Sequence, residues 1–367
     1  MPWRTTTMPE QRHEFVTLAR KDDANISELC RRFAISRKTA YKWLPRDDMH
    51  DLSRRPHHSP KRTPLLLETQ VLALRDRHPA WGGRKIAHLL QREQGIALAP
   101  STITAILHRH QRITPQAGAA ATPWLRFEHA YPNALWQMDF KGHFALMQGR
   151  CHPLTVLDDH SRYNIVLQAL DNERRATVQN VLHAAFCRYG LPERINVDNG
   201  APWGGQGGLT ALAVWLIRLG IRLTYSRPAH PQTNGKDEHF HRTLKAEVLQ
   251  THTFADLAHV QSHFEHWRHI YNHQLPHEAL NMDSPAQRYR VSARTMPSVL
   301  PEIEYLEGDI VLKVQQGGWL SLKGREIRVG KALVGQRVAL RAEDGVDGRL
   351  VLYFCHHRLG EIDLDDC

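Results

Sequence analysis

Three acidic residues occupy places where a carboxylate is costly unless something compensates it. Asp139 lies mid-strand among apolar neighbours in Trp136-Gln137-Met138-Asp139-Phe140-Lys141-Gly142. Asp198 closes a short apolar strand in Arg194-Ile195-Asn196-Val197-Asp198-Asn199-Gly200, just before a turn. Glu238 falls in the first turn of a helix starting near Gly235, where the helix dipole favours an anion. A buried ionised carboxylate needs either an Arg or Lys partner or a metal ion. Mg²⁺ is hard, prefers oxygen, and is typically held by one or two carboxylates together with substrate phosphates. From Glu238 one helical face continues through Arg242 and Lys245, both suited to phosphate contacts, and Lys236 precedes it in the same turn. Asp237 points about 100° away around that helix and reads as a capping or surface acid.

The elements that must position these acids alternate between strand and helix. Strands are expected at Leu135 to Phe140, Leu154 to Leu157, Tyr163 to Leu170, Arg194 to Val197 and Ile221 to Ser226. Helices are expected over 173–189, 208–219, roughly 236–250 and 254–273. This is an α/β layered domain, placed at 127–290. A rigid Pro-rich loop, Arg227 to Asn234, leads into the Glu238 helix. The segment 300–367 alternates between short apolar runs and glycines, giving six strands and the expectation of a small all-β barrel.

Upstream, the patterns are helical. Residues 11–21 form one helix; a short helix capped by Asn25 or Ser27 follows, then a tight turn and Arg37 to Leu44, stopped by Pro45. Two short helices about a tight turn, the second basic outside and apolar at Ala40, Trp43 and Leu44, make a helix-turn-helix over 1–50. A plain three-helix packing module would share its apolar positions. Arg37, Lys38, Thr39, Tyr41 and Lys42 are the candidate DNA contacts of its second helix. A second such unit is expected at 65–114, with a helix from Trp81 to Leu90 and another capped by Ser101; Ser101, Thr102 and Thr104 are its candidate contacts. Between them, the Pro-rich basic stretch 51–64, with Arg54 and Arg55, reads either as an arm lying in a minor groove or as a solvated linker. Residues 115–126 form a further linker.

Charge divides with these segments. Residues 1–126 hold 22 Lys and Arg against 11 Asp and Glu; 127–290 hold 16 against 15, and 291–367 hold 10 against 12. The net +10 therefore sits in the first third, a footprint of polyanion binding that simple solubility would also explain from charge alone. Five scattered cysteines form no CxxC pair, which argues against a disulfide framework or a cysteine zinc site. Adjacent histidine pairs such as His57-His58 lack the spacing to converge on zinc. No apolar run reaches the ~20 residues of a membrane span, and no signal peptide is evident. A cytoplasmic location is the default expectation.

Trp-Gln-x-Asp-Phe-Lys-Gly, Asp-Asn-Gly and Arg-Pro-x-x-Pro-Gln-Thr-Asn-Gly-Lys-x-Glu resemble the three acidic motifs of bacterial insertion-sequence transposases with a retroviral-integrase-type core. The tandem helix-turn-helix modules, with Ser-Arg-Arg-Pro-His-x-Ser-Pro and His-Pro-x-Trp-Gly, match that family too. The resemblance implies an RNase H-like core, two Mg²⁺ or Mn²⁺ ions per site, and Asp139, Asp198 and Glu238 as their catalytic ligands. It further implies double-stranded DNA as partner, transposon ends and target alike, and a homodimer or higher oligomer to join two ends in one event. Two features depart from the family. Thirty-nine residues separate Asp198 from Glu238, the excess being assignable to a loop at the Gly-rich 203–208, and Leu275 stands where an Arg usually precedes Pro-His. The competing readings are a catalytically silent DNA-binding regulator derived from a transposase and an RNase H-type nuclease, which would leave the tandem DNA-reading modules without a purpose.

Overall fold

The computed structural model describes residues 7–54, 62–113, 128–205, 208–226, 235–342 and 348–363. The chain divides into two compact units, 1–64 and 65–367.

The first unit holds three helices, α1 (Met8–Ala19), α2 (Ile26–Arg32) and α3 (Arg37–Trp43). Thr7 and Glu10 close a capping box on α1, and Asn25 caps α2 by accepting from the backbone N–H groups of Ser27 and Glu28. Ser36 caps α3. Phe15, Val16, Cys30, Ala40 and Trp43 form the core. The Arg12 guanidinium lies 4.0 Å above the Trp43 ring, which ties α1 to α3.

The second unit opens with α4 (Leu65–Arg77), α5 (Gly83–Gln94) and α6 (Pro100–Arg109). The α5 start differs from the expected Trp81 because Gly82 is the cap, Trp81 itself being fully buried. Pro100 opens α6 after Ala99, so Ser101 sits within the first turn and makes no cap bond. Glu68 of α4 is buried and pairs with Arg109 and, at 2.9 Å, with His110.

The mixed sheet of this unit contains β1 (Trp136–Phe140), β2 (Phe144–Ala145), β3 (Arg150–Asp158), β4 (Asn164–Leu170), β5 (Arg194–Val197) and, after the small hairpin β6 (Gly204–Gly205) and β7 (Gly208–Leu209), β8 (Arg222–Tyr225). Its order is β4–β3–β1–β5–β8, with β2 pairing the start of β3. β3 runs antiparallel to β1 and β4, whereas β1, β5 and β8 are parallel. Helices α7 (Arg175–Tyr189), α8 (Ala211–Arg218), α9 (Gly235–Leu244), continued by a π-helical turn at Lys245–Leu249, α10 (Leu257–His273) and the short α11 (Pro285–Arg288) complete an arrangement that fits an RNase H-like fold. Val71, Trp81, Ile86 and Ile103 from α4–α6 share one apolar cluster with Phe240, Phe264 and Trp267 from α9 and α10.

The C-terminal region corrects the expectation of a barrel. β9 (Ile310–Lys313), β12 (Arg337–Ala342), β13 (Arg349–Phe354) and β14 (His357–Asp363) form an open antiparallel sheet in the order β14–β13–β12–β9, while β10 (Trp319–Leu322) and β11 (Arg325–Arg328) form a separate hairpin. Among the described residues no pairing joins β14 to β9, so the sheet is not closed. Alternating patterns give the strands but not their closure. Here one face of the sheet finds its apolar cover elsewhere: Val338, Leu340, Leu352 and Phe354 merge into the cluster that contains Trp136, Phe186 and Leu216.

Candidate active site

Strand register brings the first two acids together. β1 and β5 pair with Trp136 opposite Ile195 and Gln137 opposite Asn196, an offset of 59 residues. Continued by two residues, that offset sets Asp139 opposite Asp198, and in parallel strands such residues point to the same face. Both stand at the carboxyl ends of their strands, where open α/β sheets present their ligand sites. The Asp139 carboxyl is pushed up to about 6, first by burial and then by the negative charge of Asp198, with the Phe140 backbone N–H and Lys141 opposing.

Across the antiparallel pair, Asp139 faces Thr155 of β3, whose hydroxyl donates to the Asp139 backbone carbonyl at 3.0 Å. That hydroxyl also lies 2.8 Å from Nε2 of His241 on α9. Nδ1 of the same ring is 3.9 Å from the Asp139 carboxylate. Burial, aided by Lys141, lowers the His241 pKa to about 3, so the ring is neutral at pH 7 and supplies no counter-charge to Asp139. His241 was not among the residues that the sequence singled out. Its i, i+4 relation to Asp237 on the helix was the available signal.

On α9, Glu238 and Arg242 are exposed on one face, and Lys245, at the start of the π-helical turn, is exposed as well. Asp237 departs from its expected surface position: it is 1% exposed, and neither carboxylate oxygen has a hydrogen-bond partner. Its pKa is raised well above the usual carboxylate range, by burial first and then by Asp139, Asp198 and Asp159, against the charge of Arg162. The helix turns its apolar side, Phe240 and Leu244, into the core, and Asp237 travels with that side. The Pro-rich loop expected before α9 lies outside the described residues, as do two residues of the Gly-rich stretch. The remainder of that stretch forms the β6–β7 hairpin, with Trp203 buried against Phe140 at a ring separation of 5.7 Å.

A second acidic group, Asp158-Asp159-His160-Ser161-Arg162, also escaped the sequence reading. Asp159 is buried and fully engaged: Gln137 Nε2 and the His129 backbone N–H each donate to it at 2.9 Å, and Lys236 binds both its carboxylate and, at 3.0 Å, its carbonyl. Lys236, proposed from sequence as a DNA contact, is thus held in an ion pair and is only 12% exposed. Leu275 is buried in the core.

The oxygen-only pair Asp139 and Asp198, whose charges oppose each other, together with the unpartnered oxygens of Asp237, suits a hard divalent cation. Among the described residues, no group of three or more His, Cys, Asp or Glu side chains is gathered closely enough to hold a metal ion. The structure thus associates Asp139 with Asp198 and leaves Glu238 on the exposed face of α9.

Of the remaining candidate contacts, Lys38, Tyr41 and Lys42 are exposed on α3, and Tyr41 is an uncovered aromatic ring. Arg37 donates to the Ser27 hydroxyl at 2.5 Å, and Thr39 joins the Ser36 cap. Ser101 is exposed, while Thr102 and Thr104 are half-buried, with the Thr104 hydroxyl donating to the Pro100 carbonyl at 2.8 Å. Arg54 is exposed, and Arg55 lies outside the described residues.

Integrase core domain models match residues 129–231 and 219–285, a homeodomain-like domain matches 39–107, and the C-terminal domain of IS481 family transposases matches 309–366. Two curated relatives belong to insertion elements. The IS476 uncharacterized 39.2 kDa protein of Xanthomonas euvesicatoria is 30% identical over 156 residues, 42% of this chain and 44% of the relative. The IS407 uncharacterized 31.7 kDa protein of Burkholderia multivorans is 28% identical over 218 residues, 59% of this chain and 72% of the relative. Among solved structures, the HTLV-2 integrase catalytic core domain aligns over 44% of this chain and 99% of that one, at 15% identity and a TM-score of 0.35. The simian T-cell lymphotropic virus intasome structure aligns over 79% and 95%, at 16% identity and a TM-score of 0.39. The chain thus joins an integrase core domain to an N-terminal helix-turn-helix region and is similar to proteins of insertion elements, spanning under half the length of the first of these relatives. No helix among the described residues is long and apolar enough to cross a membrane.

Proposed function

We propose that this chain is a DNA transposase that binds the terminal inverted repeats of its element, cleaves the transposon ends and joins the 3′-OH to target DNA. The observation that carries the proposal is the facing pair Asp139 and Asp198 at the carboxyl ends of parallel strands, whose negative charges repel each other. In this reading Asp139, Asp198 and Glu238 are the catalytic ligands, Glu238 closing on the pair from the exposed face of α9. Mg²⁺ or Mn²⁺ bound there, two ions per site, supplies activation of the attacking water or 3′-OH and neutralisation of the leaving oxygen. The protein's own residues orient the phosphodiester: Arg242, on the Glu238 face, and Lys245 take the flanking phosphates. Thr155 and neutral His241 fix β1 against α9 and so hold the Asp139 carboxylate in place. Lys38, Tyr41 and Lys42 of α3, together with the exposed side of α6, read the repeats, and synapsis of two ends requires a homodimer or larger oligomer.

The test is Mg²⁺-dependent cleavage of DNA carrying the repeats that flank the reading frame. Asp139→Asn, Asp198→Asn and Glu238→Gln should each abolish cleavage while leaving DNA affinity intact; undiminished cleavage in any of them removes that residue from the mechanism. Tight repeat binding by the wild type with no cleavage would instead identify a catalytically silent regulator.

A further inference from the structure

We propose that the groove between the core and the C-terminal region takes an unpaired nucleotide of the DNA substrate, its base in the groove and its phosphate on Arg328. The inference rests on the transposase reading above. The groove has a volume of about 280 Å³, with Leu209 and Tyr225 on the core side and Arg328, His357, Gly360 and Glu361 on the other. A volume near the ~300 Å³ low end of small-ligand pockets suits one nucleobase and excludes a duplex. Gly360 keeps the groove open. It pairs with Leu352 across β13 and β14, and directly opposed residues share a face. Leu352 turns that face toward the core cluster. Neither crowding nor the backbone demands a glycine here: a Cβ at 360 would meet nothing within 4 Å, and the residue is outside the left-handed region.

The walls carry what a nucleotide uses. Tyr225, whose hydroxyl donates to the Trp203 carbonyl at 3.3 Å, offers a held aromatic face for stacking. Burial lowers the His357 pKa, so its ring is neutral at pH 7, one nitrogen able to donate to a base edge and the other to accept. Glu361 is neutralised by Arg358 and, at 3.5 Å, by Arg349. Among the described residues no carboxylate pairs with Arg328, which lies over the Trp319 ring at 5.8 Å. Three guanidiniums thus meet one carboxylate around the groove, a balance that favours a phosphate.

Position points to the DNA of the neighbouring site. Tyr225 ends β8 and is level with Val197 of β5, the residue before Asp198. The groove therefore opens at the carboxyl end of the sheet, one strand beyond Asp198. Successive strand residues alternate faces, so Tyr225 turns to the other side from Asp198. What reaches it has passed over the end of the sheet, which a displaced single strand does and a duplex held at the acidic pair does not.

The experiment compares duplexes carrying the flanking repeat, one blunt and one with a short single-stranded overhang, by fluorescence anisotropy with the full chain. Wild type, Gly360→Val, Arg328→Gln and Asp139→Asn are titrated, with thermal midpoints and Mg²⁺-dependent cleavage measured in parallel. The expected result is roughly tenfold tighter binding of the overhang duplex by wild type and by Asp139→Asn. Gly360→Val, which fills the groove, should abolish that preference at unchanged midpoint and blunt-duplex affinity, and Arg328→Gln should narrow it. If Gly360→Val lowers the midpoint, Arg328→Gln decides. Equal affinity of the wild type for both duplexes overturns the inference, as does a preference that survives in Gly360→Val and Arg328→Gln. In either case, cleavage that is lost only in Asp139→Asn leaves the transposase reading standing. Failure of the wild type to bind either duplex removes both readings.

Discussion

Asp139 and Asp198 are 59 residues apart in sequence and opposite each other in the continued register of β1 and β5. Their mutual repulsion adds to burial, and the Asp139 carboxyl responds by titrating at about 6 instead of 3.8. A carboxyl with a raised folded-state pKa contributes stability that is complete below its unfolded pKa and lost as pH rises through the folded one. Metal-free protein should therefore lose stability between pH 4 and 6 on this group, by an amount on the order of 3 kcal/mol. Asp139→Asn removes the loss, so urea midpoints at pH 7 should be higher for the variant and converge with wild type near pH 4. A variant no more stable at pH 7 would contradict the coupling.

His241 carries the opposite sign. Burial depresses its folded-state pKa from 6.5 to about 3. A histidine shifted this way contributes stability that is full above its unfolded pKa and lost as pH falls toward the folded one. His241→Gln keeps an amide within reach of the Thr155 hydroxyl but cannot be protonated. The variant should start about 1 kcal/mol less stable at pH 7, for the altered hydrogen bond, and then lose less than wild type between pH 6.5 and 4. Parallel urea curves for the two proteins across that range would refute the buried neutral ring.

Much of this architecture is legible in the sequence because its signals are local. The five strands that build the ladder of the mixed sheet each carry an apolar run, and of the two caps the sequence offered for α2, Asn25 or Ser27, Asn25 makes the bonds. What escaped depends on which side of an element is covered, and by what. Asp237 looks like a surface acid until the apolar neighbours Phe240 and Leu244 define which side of α9 is buried. Lys236 looks like a phosphate ligand until Asp159, 77 residues away, takes it. The open C-terminal sheet resembles a barrel in its alternation, because strand patterns record which face is apolar and not what covers it. The placement of Glu238 depends on the loop before α9, which is outside the described residues.

Gly83 fixes the approach of α5 to α6. A Cβ at this position would meet the Thr104 hydroxyl and come within 2.6 Å of the Pro100 carbonyl oxygen, a backbone atom that cannot step aside. Gly83→Ala should therefore push the two helices apart and destabilise the protein by about 1–3 kcal/mol, despite alanine's better helix propensity. Thermal unfolding checks the sign. A stabilised variant would mean that α6 moves freely against α5 and that the candidate contacts Ser101 and Thr102 have no fixed platform.

Lys38 and Lys236 are both candidate DNA contacts from sequence, and their surroundings separate them. Lys38 is exposed on α3. Lys236 is 12% exposed and neutralises the buried Asp159. Lys38→Ala should leave the unfolding midpoint within about 0.5 kcal/mol of wild type, weaken DNA binding alike for all sequences, and reduce the slope of log affinity against log salt by about 1. Lys236→Met should leave the salt slope unchanged and cost about 3 kcal/mol of stability, because it strands a buried carboxylate. Fluorescence anisotropy with labelled duplex between 50 and 300 mM salt (about a sixfold span, wide enough for the slope), alongside urea unfolding, measures both quantities. If Lys236→Met lowers the salt slope without loss of stability, the ion pair to Asp159 opens when DNA binds, and Lys236 returns to the list of phosphate ligands.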